Sequence, residues 1–84
     1  MGELRRLVNI GKVLEDQLLA VGIRSYDDLQ QTGSKQAWSR IKVTDPSACY
    51  MRLCALEGAI QGIRWHELPE DKKRELKEFY RSFK

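Results

Sequence analysis

The stretch that decides the fold is Asp45-Pro46-Ser47-Ala48-Cys49-Tyr50-Met51-Arg52-Leu53-Cys54-Ala55-Leu56-Glu57-Gly58-Ala59-Ile60-Gln61-Gly62. Asp45-Pro46 is a helix-start signal, a capping acid followed by a proline whose fixed φ suits the first helical position. Beyond it Cys49, Leu53, Leu56, Ile60 and Ile63 recur at intervals of three and four. Tyr50, Met51, Cys54, Ala55 and Ala59 widen that stripe past a single face. A helix apolar most of the way round is a central one. The spacing therefore predicts one helix from Pro46 to Gly62, with Leu53, Leu56 and Ile60 at the heart of the core.

Upstream, the segment from Leu7 to Leu19 carries Ile10, Leu14, Leu18 and Val21 at helical spacing, with Asn9 as its expected N-cap. Gly22 should end this helix in a left-handed cap. Ser25, followed three residues later by Asp28, resembles a capping box, opening a short helix from Tyr26 to Gln31. Thr32-Gly33 interrupts it. Ser34 is the expected cap of a third helix bearing Ala37, Trp38 and Ile41.

Downstream, Pro69 opens a last helix whose first turn holds Glu70 and Asp71, favourable to the macrodipole. Leu76, Phe79, Tyr80 and Phe83 form its apolar stripe, and Lys73, Lys77, Glu78 and Arg81 a solvated face. No strand-like alternation and no low-complexity linker occurs. Residues 1–84 are expected to form a single all-α domain, a compact bundle of about five helices, three short and two longer.

At 84 residues, 42% hydrophobic and 32% charged, the chain is globular in composition. No apolar run approaches the roughly 20 residues of a membrane helix, and no signal-peptide pattern opens the chain, so a cytoplasmic protein without membrane contacts is expected. Fifteen Lys and Arg against twelve Asp and Glu give a net charge of +3, which by itself says little about nucleic acid. From Ser34 to Val43, however, Lys35, Arg40 and Lys42 occur with no acid, either a solvated helix face or a local positive field.

The chemistry of catalysis is not represented. Cys49 and Cys54 lie five residues apart, about 140° around a helix, so they share no metal and form no easy bridge. Both read as small buried hydrophobes. His66 is the single histidine, and no nucleophile with a carboxylate partner is placed to work with it. It should be exposed near the Leu68-Pro69 turn, with Trp65 closing the core between the central and last helices. The expectation is a non-enzymatic domain without metal or cofactor.

Two helix entrances look alike, Asn9-Ile10-Gly11-Lys12 and Thr32-Gly33-Ser34-Lys35. Free amides of a helix's first turn favour an anion, glycine lets a phosphate approach, and lysine adds charge. That is how helix-hairpin-helix modules hold the DNA backbone, and Leu7-x-Asn9-Ile10-Gly11 with Gly22-Ile23-x-Ser25 resembles their pattern. Equally, Gly11 and Gly33 serve tight turns and close packing without any ligand.

A more specific resemblance spans nearly the whole chain. Asn9-Ile10-Gly11, Val21-Gly22-Ile23, Asp28-Leu29 and Gly33 stand in the order of the C-terminal domain of the TfoX (Sxy) competence regulators. The run Leu53-x-Ala55-Leu56-Glu57-Gly58-Ala59-Ile60-x-Gly62-Ile63-x-Trp65-His66-x-Leu68-Pro69 is similar to that family as well. Where the family commonly has proline after Ile10-Gly11, this chain has Lys12. The resemblance implies an all-α, helix-hairpin-helix-like fold. Full regulators add an N-terminal domain, not expected here, and act with the cyclic-AMP receptor protein to switch on DNA-uptake genes.

The function expected is a regulatory domain working through protein contacts, its partner an unidentified transcription regulator. The alternative is sequence-independent DNA-backbone binding through the two entrances. Candidate contact residues are Asn9, Gly11, Lys12, Gly33, Ser34, Lys35, Arg40 and Lys42. The expected state is a monomer or weak dimer.

Overall fold

The computed structural model describes residues 3–83. Five α-helices follow in chain order: α1 (Lys12–Ala20), α2 (Tyr26–Thr32), α3 (Ser34–Thr44), α4 (Tyr50–Gln61) and α5 (Glu70–Ser82). Single 3-10 turns occur at Glu3–Arg6 and Trp65–Glu67, and the described residues contain no strand. The all-α bundle is as expected, although α3 is nearly as long as α4, so only α1 and α2 are short.

Helix α4 is central, packing on α2, α3, α5 and the second 3-10 turn. Leu53, Cys54, Leu56 and Ala59 are buried along it, and Ile60 is half-buried. It starts at Tyr50 rather than Pro46 because Asp45 builds a turn instead of a cap. The Asp45 carboxylate accepts the Ser47 amide at 3.0 Å and the Ser47 hydroxyl at 2.6 Å. The Ala48 amide then closes on the Asp45 carbonyl at 3.0 Å, with Pro46 at the second turn position that its ring prefers. Cys49 becomes the extended N-cap of α4 and is exposed, against the expectation that both thiols are buried. Only Cys54 is, and burial raises its thiol pKa.

Trp38 is the largest fully buried side chain. Its indole N–H donates to the Cys49 carbonyl at 3.1 Å, and Phe79 and Tyr80 of α5 with Phe83 just beyond its end meet its ring edge-on at 5.0–6.0 Å. The α5 stripe thus closes on α3 as well as on α4. Tyr50 joins from α4, its hydroxyl donating to the Lys73 carbonyl; burial pushes its pKa up to about 12.

Apart from the start of α4, the helix ends follow their residues with two exceptions. Gly22, at φ +90°, places its own amide on the Leu19 carbonyl while the Ile23 amide reaches Leu18, a Schellman closure of α1. Ser25 caps α2 by accepting the Asp28 amide at 3.1 Å, and the Asp28 carboxylate accepts from Arg24. The exceptions are Asn9 and Ser34. Gly11, not Asn9, is the N-cap of α1, and Gly33, not Ser34, is the N-cap of α3. Both displaced side chains make long-range hydrogen bonds instead.

Candidate functional site

At the first entrance Asn9 has a left-handed backbone, φ +73°, which asparagine tolerates better than most residues. Its Nδ2 donates to the carbonyls of Ile63 at 3.0 Å and Ala55 at 3.4 Å, and its Oδ1 accepts the Trp65 amide at 3.3 Å. One side chain therefore ties the start of α1 to the end of α4 and to the turn beyond. Gly58 makes this possible. A Cβ there would lie 2.5 Å from Asn9 Nδ2 and 2.7 Å from the Ile63 carbonyl oxygen.

Holding these elements together leaves an open groove of about 610 Å³ between the start of α1 and the first turns of α4. Val13, Met51, Ala55 and Trp65 line it, with Val13 66% and Met51 54% exposed. Trp65 is half-buried, packed against the core as the sequence suggested, and it also lines this groove. Among the described residues Lys12 and Arg52 are the charged members of the lining, and none is an acid.

Lys12 pairs with Asp16 at 3.2 Å on open surface, an arrangement that holds it weakly. Arg52 is held more firmly. Its Nη1 donates to Asp45 at 2.8 Å and to Gln17 at 3.3 Å. The Ser47 hydroxyl and then Arg52 keep the Asp45 carboxyl well below the usual carboxylate range.

The second entrance has a different character. Thr32 to Gln36 border a shallower depression of about 350 Å³ together with Glu57 and Glu75. Buried Ser34 donates to Glu57 at 2.6 Å. Lys35 donates to Glu75 at 2.6 Å and lies 5.7 Å from the Phe79 ring centre. Lys35 and Lys72 together hold the Glu75 carboxyl below its ordinary value. Lys42 donates to the carbonyls of Pro46 and Ala48 and sits over the Trp38 ring, while Arg40 is exposed. The eight candidate residues thus do not converge. Asn9, Gly11 and Lys12 line the groove, Gly33, Ser34 and Lys35 the acidic depression, and Arg40 and Lys42 neither.

Among the described residues no three His, Cys, Asp or Glu side chains cluster as a metal site would require. No described helix is long and apolar enough to cross a membrane. His66 is exposed, its ring edge-on to Trp65.

The sequence profile of the TfoX C-terminal domain matches residues 1–80. The chain belongs to that family. It is 36% identical to Protein Sxy of Escherichia coli (strain K12) over 76 residues, which is 90% of this chain and 36% of Sxy. It thus spans about a third of that relative's length. Two crystal structures from Listeria monocytogenes, one of an uncharacterised protein in a triclinic form and one of a protein of unknown function in a tetragonal form, superpose on it with a TM-score of 0.93 each. The triclinic form is 54% identical, covering 94% of this chain and 90% of that one. The tetragonal form is 53% identical, covering 96% and 99%.

Within this TfoX C-terminal domain, the groove residues Val13, Met51 and Arg52 were not singled out as contact residues by the sequence. A signal was present for the first two. Val13 lies next to Leu14 on α1 and off the stripe of Leu14 and Leu18, so an α1 phase set by buried Leu14 turns it outward. Met51 sits likewise off the line of Leu53 and Leu56 on α4. Arg52 had none, because its anchor Asp45 was read as a helix cap.

Proposed function

We propose that this domain is a non-enzymatic regulatory module of the TfoX (Sxy) kind, acting on transcription by contact with another protein. The observation that carries the reading is the groove at the start of α1, whose apolar lining includes exposed Val13 and Met51. Exposed apolar side chains gathered in one concavity favour a protein partner. The family's competence role, in which the full regulators act with the cyclic-AMP receptor protein, supplies the candidate partner.

The DNA-backbone reading has less support. A phosphate cradle needs free cations at amide-rich helix entrances. Lys35 is instead engaged by Glu75, Glu57 stands beside the same entrance, and Lys42 is turned onto backbone carbonyls.

The test is titration of the purified chain with the cyclic-AMP receptor protein of the same organism and, separately, with arbitrary duplex DNA, each at two salt concentrations. Binding of the receptor protein that varies little with salt is expected. Duplex affinity at physiological salt should be no tighter than about 10⁻⁴ M. Sub-micromolar duplex binding, steep in salt and abolished by Lys12→Glu with Lys35→Glu, would replace this reading with the DNA one.

A further inference from the structure

We infer that the groove between α1 and α4 docks a short apolar segment of a protein partner whose carboxylate pairs with Arg52. This rests on the protein-contact reading above and names its surface and the chemistry of the partner. The apolar floor and the charge of the rim both point to such a segment. Val13, Met51 and Trp65 offer three apolar side chains to one concavity, two of them more than half exposed. A segment seated there would remove that area from water.

The rim supplies the charge complementarity. Lys12, weakly paired to Asp16 on open surface, and Arg52 line the groove, and no acid lines it among the described residues. A guanidinium carries five N–H donors in a rigid fork. Nη1 of Arg52 directs its two hydrogens to Asp45 and Gln17, and Nε and Nη2 have no partner among the described residues. Nε and Nη2 share one edge of the fork, the edge that takes a carboxylate through two parallel hydrogen bonds. Asp45, itself fixed by Ser47, sets the orientation of that fork before any partner arrives. The second depression is the opposite case, with Glu57 and Glu75 in its lining, and would repel the same segment.

The probe is a phage library of random dodecapeptides panned against the full chain, with the best binders resynthesised. Selected peptides should combine large apolar residues with Asp or Glu, and should shift the NMR signals of Val13, Met51, Arg52 Nε and the Trp65 indole. Val13→Glu with Met51→Glu, both at exposed positions, should weaken them roughly tenfold or more while the melting temperature stays put. Val43→Glu, at a 79% exposed position outside the groove, should leave binding unchanged. Arg52→Lys should weaken the acidic peptides severalfold but not their Glu→Gln counterparts, since lysine keeps the charge and loses the fork.

Failure to select any peptide that shifts the groove signals would overturn the inference. Equal affinity for peptides stripped of carboxylates, or groove shifts produced by duplex DNA alone, would do the same. If the receptor protein binds and the Val13→Glu, Met51→Glu double variant binds it equally well, the groove assignment fails while the protein-contact reading stands. If the receptor protein does not bind at all, the proposed function itself is lost.

Discussion

Two helix entrances of this chain carry nearly the same letters, and the fold uses them in opposite ways. At Asn9-Ile10-Gly11-Lys12 the polar side chain is drawn inward, bridging to Ala55, Ile63 and Trp65, and the groove beside it has an apolar lining with no acid among the described residues, Lys12 pairing only with exposed Asp16. At Thr32-Gly33-Ser34-Lys35 the polar side chains run into an acidic rim, Ser34 to Glu57 and Lys35 to Glu75. The lesson is that a glycine and a lysine at a helix start do not define an anion site. What matters is which acids and carbonyls the rest of the fold brings beside them.

The sharpest way to break the comparison is at Gly58, the point of close approach beneath Asn9. Gly58→Ala puts a Cβ within 3 Å of both Asn9 Nδ2 and the Ile63 carbonyl oxygen. Overpacking of this kind costs about 1–3 kcal/mol, and here it also dislodges the Asn9 bridge. Urea unfolding should show a clear loss of stability, together with altered Trp65 fluorescence. A variant as stable as the parent would mean that the first entrance is not clamped to α4.

Next in size is the contrast between the two displaced caps. Asn9→Gly keeps the left-handed backbone available and deletes all three hydrogen bonds, taking this partner from the Ile63 carbonyl and the Trp65 amide, while the Ala55 carbonyl keeps its bond within α4. It should cost about 1–3 kcal/mol. Ser34→Ala removes a single donation to Glu57, which keeps Gln61 as a partner at 2.6 Å, so about 1 kcal/mol or less is expected. Equal losses from denaturant melts of the two variants would erase the distinction drawn between the entrances.

The bundle itself was legible because it rests on periodicity. Leu14 with Leu18, Leu53 with Leu56, and Leu76 with Phe79 mark their helix faces by spacing alone, and Gly22 and Ser25 mark ends by local chemistry. What escaped were residues whose role depends on a partner far along the chain. Asn9 and Ser34 look like caps because capping is the local use of Asn and Ser, yet their acceptors lie 46 or more and 23 positions away. Asp45-Pro46 misled for the related reason that an Asx turn and an N-cap use the same acid and proline. Cys49 followed the same error: with α4 starting four residues later than Pro46, it became an exposed cap rather than part of the apolar stripe. The candidate site was therefore half readable, Lys12 read in sequence, Val13 and Met51 marked there by helix phase without being singled out, and the groove-lining role of Arg52 and Trp65 visible only in three dimensions.

The smallest effect probes the acidic second entrance by its pH dependence. Hydrogen bonds from Lys35 and then Lys72 lower the Glu75 pKa from its ordinary value of 4.5. A carboxylate with a depressed folded-state pKa contributes stability that is fully present above the unfolded value and disappears as pH falls through the folded one. Stability should therefore decline from about pH 5 downward in part through this group. Glu75→Gln should flatten that decline while costing at neutral pH no more than about 1 kcal/mol, because the side chain is 47% exposed and solvent screens the pair. Its first-entrance counterpart, Lys12→Gln, removes a pair exposed on both sides and should change stability at neutral pH by a few tenths of a kcal/mol at most. Thermal melts of parent and Glu75→Gln across the acid range provide the reading. Parallel profiles would mean that Lys35 is not held by Glu75 in solution, and the second entrance would then present as free a lysine as the first.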